Sequence, residues 1–170
     1  MRNAVMPIKT VIFDVDGTLT DGGIIYSDSG DEIKKFSALD GLLIRVLPQI
    51  GISTIILTGR ESEVVRKRGE DLGISRIIQG ALNKEKKLRE MESQINLNET
   101  AYIGDDLNDY AAMLLCGFRA CPVNAAEEIK KICEYVSLYN GGNGAARDIL
   151  EHILKKQRQW DEILKIFLVI

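Results

Sequence analysis

Asp14 and Asp16 stand one residue apart in Val11-Ile-Phe-Asp-Val-Asp-Gly-Thr-Leu-Thr20, after a short apolar run and before a glycine. The run reads as a buried strand. Alternation along it sends both carboxylates to one side, where the strand leaves its sheet. Like charges that close repel unless a cation sits beside them. Mg²⁺ suits the pair, because it takes hard oxygen ligands and keeps several of its waters. Read alone, the pair also fits solvated aspartates before a turn, since short motifs match by accident. Two further polar clusters strengthen the chemical reading. Thr58-Gly59-Arg60 follows the apolar stretch 53–57, and Gly104-Asp105-Asp106-Leu107-Asn108-Asp109 follows the stretch 101–103.

Lys84 gives an independent clue. It opens a helix behind the cap residue Asn83, where a cation opposes the macrodipole. A bound phosphate accounts for a lysine there, whereas Lys86 and Lys87 in the same turn read as a solvated face. The only histidine, His152, lies late in the chain on a helical stretch and reads as a helix-surface residue. The chemistry therefore falls to carboxylates, a lysine and arginines. Arg60 and Arg68 are candidates for a substrate carboxylate, which guanidinium groups grip bidentately. Arg68 fits a plain surface role equally well. Gly141-Gly142-Asn143-Gly144 fits an anion cradle or an ordinary turn.

Strands and helices must bring these residues together. Strands are expected at 8–13, 53–57, 76–78, 101–103, 118–121 and 135–136, separated by helices at 61–72, 83–93, 110–115 and 126–132. Stretches 24–26 and 33–36 flank a turn and read as a projecting β-hairpin. Asp40 is expected to cap a helix stopped by Gly51, with Pro48 shortening or bending its last turn. The alternation predicts an α/β fold, a doubly wound parallel sheet. Ligands in such sheets bind beyond the carboxyl ends of the strands, where the polar clusters fall. A single domain is expected over 1–157, with its hairpin at about 22–37, and a C-terminal tail over 158–170.

A length of 170 residues suits one well-cored domain. The net charge of −3 without a basic cluster argues against a nucleic-acid partner. The apolar runs are too short for a membrane span, and the N-terminal stretch lacks the apolar core of a secretion signal. Cys116, Cys121 and Cys133 lack metal-ligand spacing and read as reduced core residues. These features together predict a cytoplasmic protein.

The order Asp14-x-Asp16-Gly-Thr, Thr58-Gly-Arg60, Lys84 and Gly104-Asp-Asp-x-x-Asp109 resembles the haloacid dehalogenase superfamily over nearly the whole chain. The resemblance implies a Mg²⁺-dependent phosphatase in which Asp14 attacks phosphorus and forms an aspartyl-phosphate. Asp16 would protonate the leaving oxygen and then deprotonate the attacking water. It implies metal ligation by Asp14, the backbone carbonyl of Asp16 and Asp105, with Asp106 or Asp109 orienting waters and ligands behind them. The Thr58 hydroxyl and the Gly59 amide would donate to phosphate oxygens from a helix N-terminus. Lys84 completes the catalytic set.

The intervals between these motifs are too short for a cap domain. The cap-less branch that the chain resembles assembles homotetramers through projecting hairpins, and a neighbour's hairpin or C-terminal tail completes the pocket. Its best-known substrate is the sugar-acid phosphate 3-deoxy-manno-octulosonate 8-phosphate. A sister activity on nine-carbon ulosonate 9-phosphates tends to carry Glu and Lys where this chain has Arg60 and Asp71, so the eight-carbon substrate is expected. Leu39, Asn143 and Thr18 depart from residues frequent in the branch. Two remoter alternatives are a receiver-like phospho-acceptor domain and a non-catalytic oligomerisation module. Arg76-Ile-Ile78-Gln79 offers no acceptor aspartate for the first, and the intact Asp14, Asp16 and Lys84 count against the second. The apolar end of the tail, Phe167-Leu-Val-Ile170, is expected to dock, either at a neighbouring subunit's active-site mouth or on its own flank.

Overall fold

A computed structural model describes residues 7–169. The N-terminal stretch read as signal-free (1–6) and the last tail residue, Ile170, lie outside the described residues. Strands β1 (Thr10–Phe13), β4 (Ser53–Leu57), β5 (Arg76–Ile78), β6 (Thr100–Ile103), β7 (Phe118–Cys121) and β8 (Tyr135–Val136) form one sheet in the order β5-β4-β1-β6-β7-β8. Every neighbouring pair in it is parallel. All four residues of β1 are buried, as expected of a central strand covered on both faces.

The period of two divides the core. Val11, Phe13, Ile56 and Ile103 face one side, under α1 (Ala38–Ile44), α2 (Glu63–Asp71), α6 (Ala145–Lys156) and α7 (Trp160–Ile166). Ile12, Ile55, Leu57 and Tyr102 face the other, under α3 (Lys84–Glu90), α4 (Tyr110–Met113) and α5 (Glu127–Ile132). Helices thus cover both faces, and the sheet is doubly wound. Strand β1 lies between β4 and β6, at the point where the winding reverses. The clusters ending these three strands therefore converge.

The hairpin is shorter than expected. Strands β2 (Ile25–Tyr26) and β3 (Glu32–Ile33) pair antiparallel over two residues each. Residues 34–36 leave the ladder because Lys34 turns toward the cleft and Phe36 packs against the core. Asp40 is not the cap of α1. Ser37 fills that position, accepting from the Asp40 amide at 3.3 Å, and Asp40 points inward to accept the Arg147 amide of α6 at 2.8 Å. Helix α6 starts behind Gly144, which has no capping side chain, so a carboxylate from another helix caps it. Pro48 ends the α-helix early and falls in a 3-10 turn, Leu47–Ile50.

Between β1 and β4 the described residues hold only the hairpin, α1 and this turn, with no cap domain. The tail packs back on its own subunit: Ile163 is buried and Trp160 lies against the core between Arg147 and Lys155. Phe167, Leu168 and Val169 stay exposed. Among the described residues no helix is long and apolar enough to cross a membrane.

The loop after β1 is pressed against the glycine loop before α6. A Cβ on Gly141 would lie 1.7 Å from the Gly17 carbonyl oxygen, so only glycine fits there. The Gly142 amide donates to the Thr18 carbonyl at 3.0 Å. The glycine loop is thus a backbone buttress for the turn that carries Asp16.

Candidate active site

Asp14, Asp16, Thr58, Gly59, Arg60, Asp105 and Asp106 line one cleft of about 350 Å³ at the carboxyl edge of the sheet. Asp14 continues β1, its amide donating to the Ile103 carbonyl at 2.9 Å. Its Oδ1 accepts from Lys84 Nζ at 2.6 Å.

Lys84 is buried, and its ammonium also donates to Asp109 Oδ1 at 2.6 Å. Two carboxylates, rather than a phosphate alone, therefore compensate a cation at the start of α3. Asn83 caps that helix as expected, accepting from the Lys86 amide at 2.8 Å. Burial alone would lower the Lys84 pKa, but the charges of Asp14 and Asp109 outweigh it and raise it.

Asp109 is fully buried and its oxygens are engaged. Oδ1 takes Lys84 and the Tyr102 hydroxyl at 2.8 Å, and Oδ2 takes the Asp105 amide at 3.1 Å. It orients its neighbours. Asp105 leaves β6 with Oδ1 accepting from the Thr18 hydroxyl at 3.1 Å. Gly17, at φ +92°, leaves room for that carboxylate, since a Cβ there would lie 2.0 Å from Asp105 Oδ2.

Asp14, Asp105 and Asp109 offer oxygens within 4.8 Å of one another, against the single ammonium of Lys84. Burial, reinforced by Asp109, holds the Asp14 carboxyl well above its ordinary range and pushes Asp105 up to about 6. This excess of carboxylates is what a divalent cation would neutralise, and the all-oxygen donor set suits a hard one. Because Asp109 is already saturated with donors, Asp14 and Asp105 are the carboxylates suited to ligation.

Asp16 faces the hairpin, with Oδ1 2.5 Å from Lys34 Nζ and Oδ2 3.8 Å from Arg60 Nε. Arg60 also donates to Tyr26 and Glu32 of the hairpin, at 3.0 and 3.2 Å. Thr58 and Gly59 lie in the turn after β4. Helix α2 starts only at Glu63, capped by Ser62, so neither residue occupies the helix N-terminus expected from the sequence. Asp106 lies on the exposed rim. Arg68 is not part of this cleft: it donates to the Ser37 carbonyl at 3.2 Å and lies over the Phe36 ring, between α1 and α2.

Sequence reasoning missed Tyr102 and Lys34. Tyr102 left a signal, since a tyrosine inside a buried strand needs a partner for its hydroxyl. Lys34 left none, because hairpin lysines are ordinarily solvated. Asn108 of the Gly104–Asp109 cluster, Asp21 and Asn124 also line the cleft.

The comparisons agree with this geometry. A family model described as haloacid dehalogenase-like hydrolase matches residues 72–149. The 3-deoxy-D-manno-octulosonate 8-phosphate phosphatase KdsC of Haemophilus influenzae is 38% identical over 159 residues, covering 92% of this chain and 88% of its own. The Escherichia coli K12 enzyme of that name is 34% identical, covering 91% and 84%. The crystal structure of the Moraxella catarrhalis phosphatase, in complex with magnesium, phosphate and KDO, superposes with a TM-score of 0.91 at 42% identity. That match covers 96% of this chain and 95% of the other. The chain belongs to the haloacid dehalogenase-like hydrolases, in the 3-deoxy-D-manno-octulosonate 8-phosphate phosphatase family of phosphoric monoester hydrolases.

Proposed function

We propose that the chain hydrolyses 3-deoxy-D-manno-octulosonate 8-phosphate to 3-deoxy-D-manno-octulosonate and phosphate, through an aspartyl-phosphate on Asp14. The observation that carries this reading is the Lys84–Asp14 contact. It fixes one carboxylate oxygen of a residue that lines the cleft, which leaves the second oxygen to meet phosphorus. That second oxygen attacks phosphorus as the ester bond to the sugar breaks. Asp16 delivers a proton to the leaving sugar oxygen, then takes one from the water that cleaves the acyl phosphate. The Thr58 hydroxyl and the Gly59 amide hold phosphate oxygens, and Arg60 at the rim meets the sugar-acid carboxylate. Mg²⁺, held by Asp14, Asp105 and the Asp16 carbonyl, supplies positive charge against the repulsion between nucleophile and phosphate.

The hairpin exposes Ile24, Ile25 and Ile33, and with the exposed tail end this supports a homotetramer in which a neighbour covers the open cleft. The free cysteines Cys116, Cys121 and Cys133 suit a reducing cytoplasm.

Phosphate release should be assayed on the eight-carbon ester, a nine-carbon ulosonate 9-phosphate and p-nitrophenyl phosphate, each with Mg²⁺ and with chelator. The reading expects the highest kcat/KM on the eight-carbon ester and no turnover by Asp14→Asn. Preference for the nine-carbon ester would replace the substrate assignment, and an active Asp14→Asn would remove the aspartyl-phosphate.

A further inference from the structure

Lys34, at the end of the hairpin, is buried against Asp16, which lines the cleft. The hairpin is otherwise open, with Ile25 and Tyr26 more than half exposed, yet the Lys34 side chain is only 1% exposed. Lysines are rarely buried unless paired. Here the ammonium lies 2.5 Å from Asp16 Oδ1 and 3.1 Å from Glu32 Oε1. Glu32 in turn accepts from Arg60 at 3.2 Å and from the hydroxyl of Ser62, the cap of α2. The strand-to-helix turn after β4 and the hairpin are thereby joined through one ammonium to the carboxylate of Asp16. Among the described residues Lys34 is the only side chain that hydrogen-bonds this carboxylate, since Arg60 stands at 3.8 Å.

We infer that Lys34 is a positioning residue for proton transfer: it fixes the Asp16 carboxylate in the cleft and makes the hairpin part of the catalytic framework of its own subunit. The inference rests on the acid–base role proposed for Asp16. Packing does not account for the burial of Lys34, because a two-residue ladder has no core of its own and a lysine desolvated there needs compensating anions. A carboxylate projecting from a turn with no other hydrogen-bond donor samples several rotamers, and misplacement by about 1 Å can cost on the order of 10²-fold in rate.

The test compares Lys34→Met, Lys34→Arg, Asp16→Asn and the double variant Lys34→Met/Asp16→Asn, each loaded with Mg²⁺. Folding is checked by circular dichroism, with Lys34→Gln as the substitute if Lys34→Met does not fold. Lys34→Met should lower kcat on the sugar-acid phosphate by about 10- to 100-fold with KM within about threefold, since transition-state positioning is lost rather than binding. On p-nitrophenyl phosphate, whose phenolate leaves without a proton, the pre-steady-state release of p-nitrophenolate should slow by under about threefold, while hydrolysis of the acyl phosphate slows as it does for the sugar-acid ester. Lys34→Arg should recover most of the loss, and the double variant should be no slower than Asp16→Asn. A raised KM at unchanged kcat, p-nitrophenolate release slowed as much as turnover of the sugar-acid ester, or additive losses in the double variant would overturn the inference. Wild-type turnover by Asp16→Asn would instead overturn the acid–base role, and the inference with it.

Discussion

The Tyr102 hydroxyl donates to Asp109 Oδ1 at 2.8 Å, onto the same oxygen that receives the Lys84 ammonium. A residue on the floor of the sheet thus helps set where the cation beside Asp14 sits. Tyr102→Phe should remove one buried hydrogen bond, worth about 1 kcal/mol in urea unfolding. It should also lower kcat by several-fold while leaving KM near the wild-type value. A variant that loses stability and keeps its full kcat would confine Tyr102 to packing.

Lys84→Met should be far more severe. It leaves Asp14 and Asp109 buried without their shared cation, and stripping one partner from such a group costs about 3–5 kcal/mol. Denaturant unfolding in chelator should show that loss, together with abolished phosphatase activity.

Metal and proton compete at Asp14 and Asp105. Both carboxyls are raised, with burial as the largest cause, Asp105 to about 6 from an ordinary 3.8. A folded state that holds its protons more tightly than the unfolded chain loses stability as pH rises across that interval. Without metal, the Asp105 carboxyl therefore favours the fold below pH 4 and opposes it above pH 6, and the raised Asp14 carboxyl acts in the same direction. A divalent cation needs deprotonated ligands, so Mg²⁺ should raise Tm more at pH 7 than at pH 5. Scanning fluorimetry at both pH values, with Mg²⁺ and with chelator, reads the difference. Equal shifts would argue that Mg²⁺ does not bind through these groups.

Asp40→Ala should cost about 1–2 kcal/mol, the usual cost of losing a helix cap. Here the cap belongs to α6 and is supplied from α1. Asp40→Asn keeps an acceptor for the Arg147 amide and should cost less than Asp40→Ala. Chemical denaturation of the two variants separates capping from charge.

The tail divides into two parts with different expected effects. Ile163 is 2% exposed in the core, and Ile163→Ala should cost about 2–4 kcal/mol. Deleting 167–170 removes side chains that are exposed at Phe167, Leu168 and Val169, and should leave Tm unchanged. If that end serves a neighbouring cleft, the same deletion lowers kcat/KM on the sugar-acid phosphate more than on p-nitrophenyl phosphate. Unchanged kinetics on both substrates would remove that role.

The parallel sheet and its polar edge were legible because strands buried on both faces leave continuous apolar runs, and Asp14, Thr58 and Asp105 directly follow such runs. What the sequence hid was pairing across distance. Asp40 looks like a local cap, and only the packing of α1 on α6 shows that it serves another helix. Arg68 looks like a substrate ligand by residue type, yet Phe36 and the Ser37 carbonyl hold it away from its own cleft. The ladder of the hairpin was overestimated because Phe36 satisfies the strand pattern while belonging to the core.

The contact between Gly141 and the turn after β1 has a consequence for genetics. In a saturation screen scored for growth on the intact enzyme, substitutions at Gly17 and Gly141 should be depleted as strongly as those at Asp14. Neither glycine carries a functional group, so a scan read only for chemistry would misplace the catalytic centre in the loop before α6. Suppressors of Gly141 alleles are expected in the segment around Gly17 and Thr20, where the backbone must yield, rather than among the acidic residues.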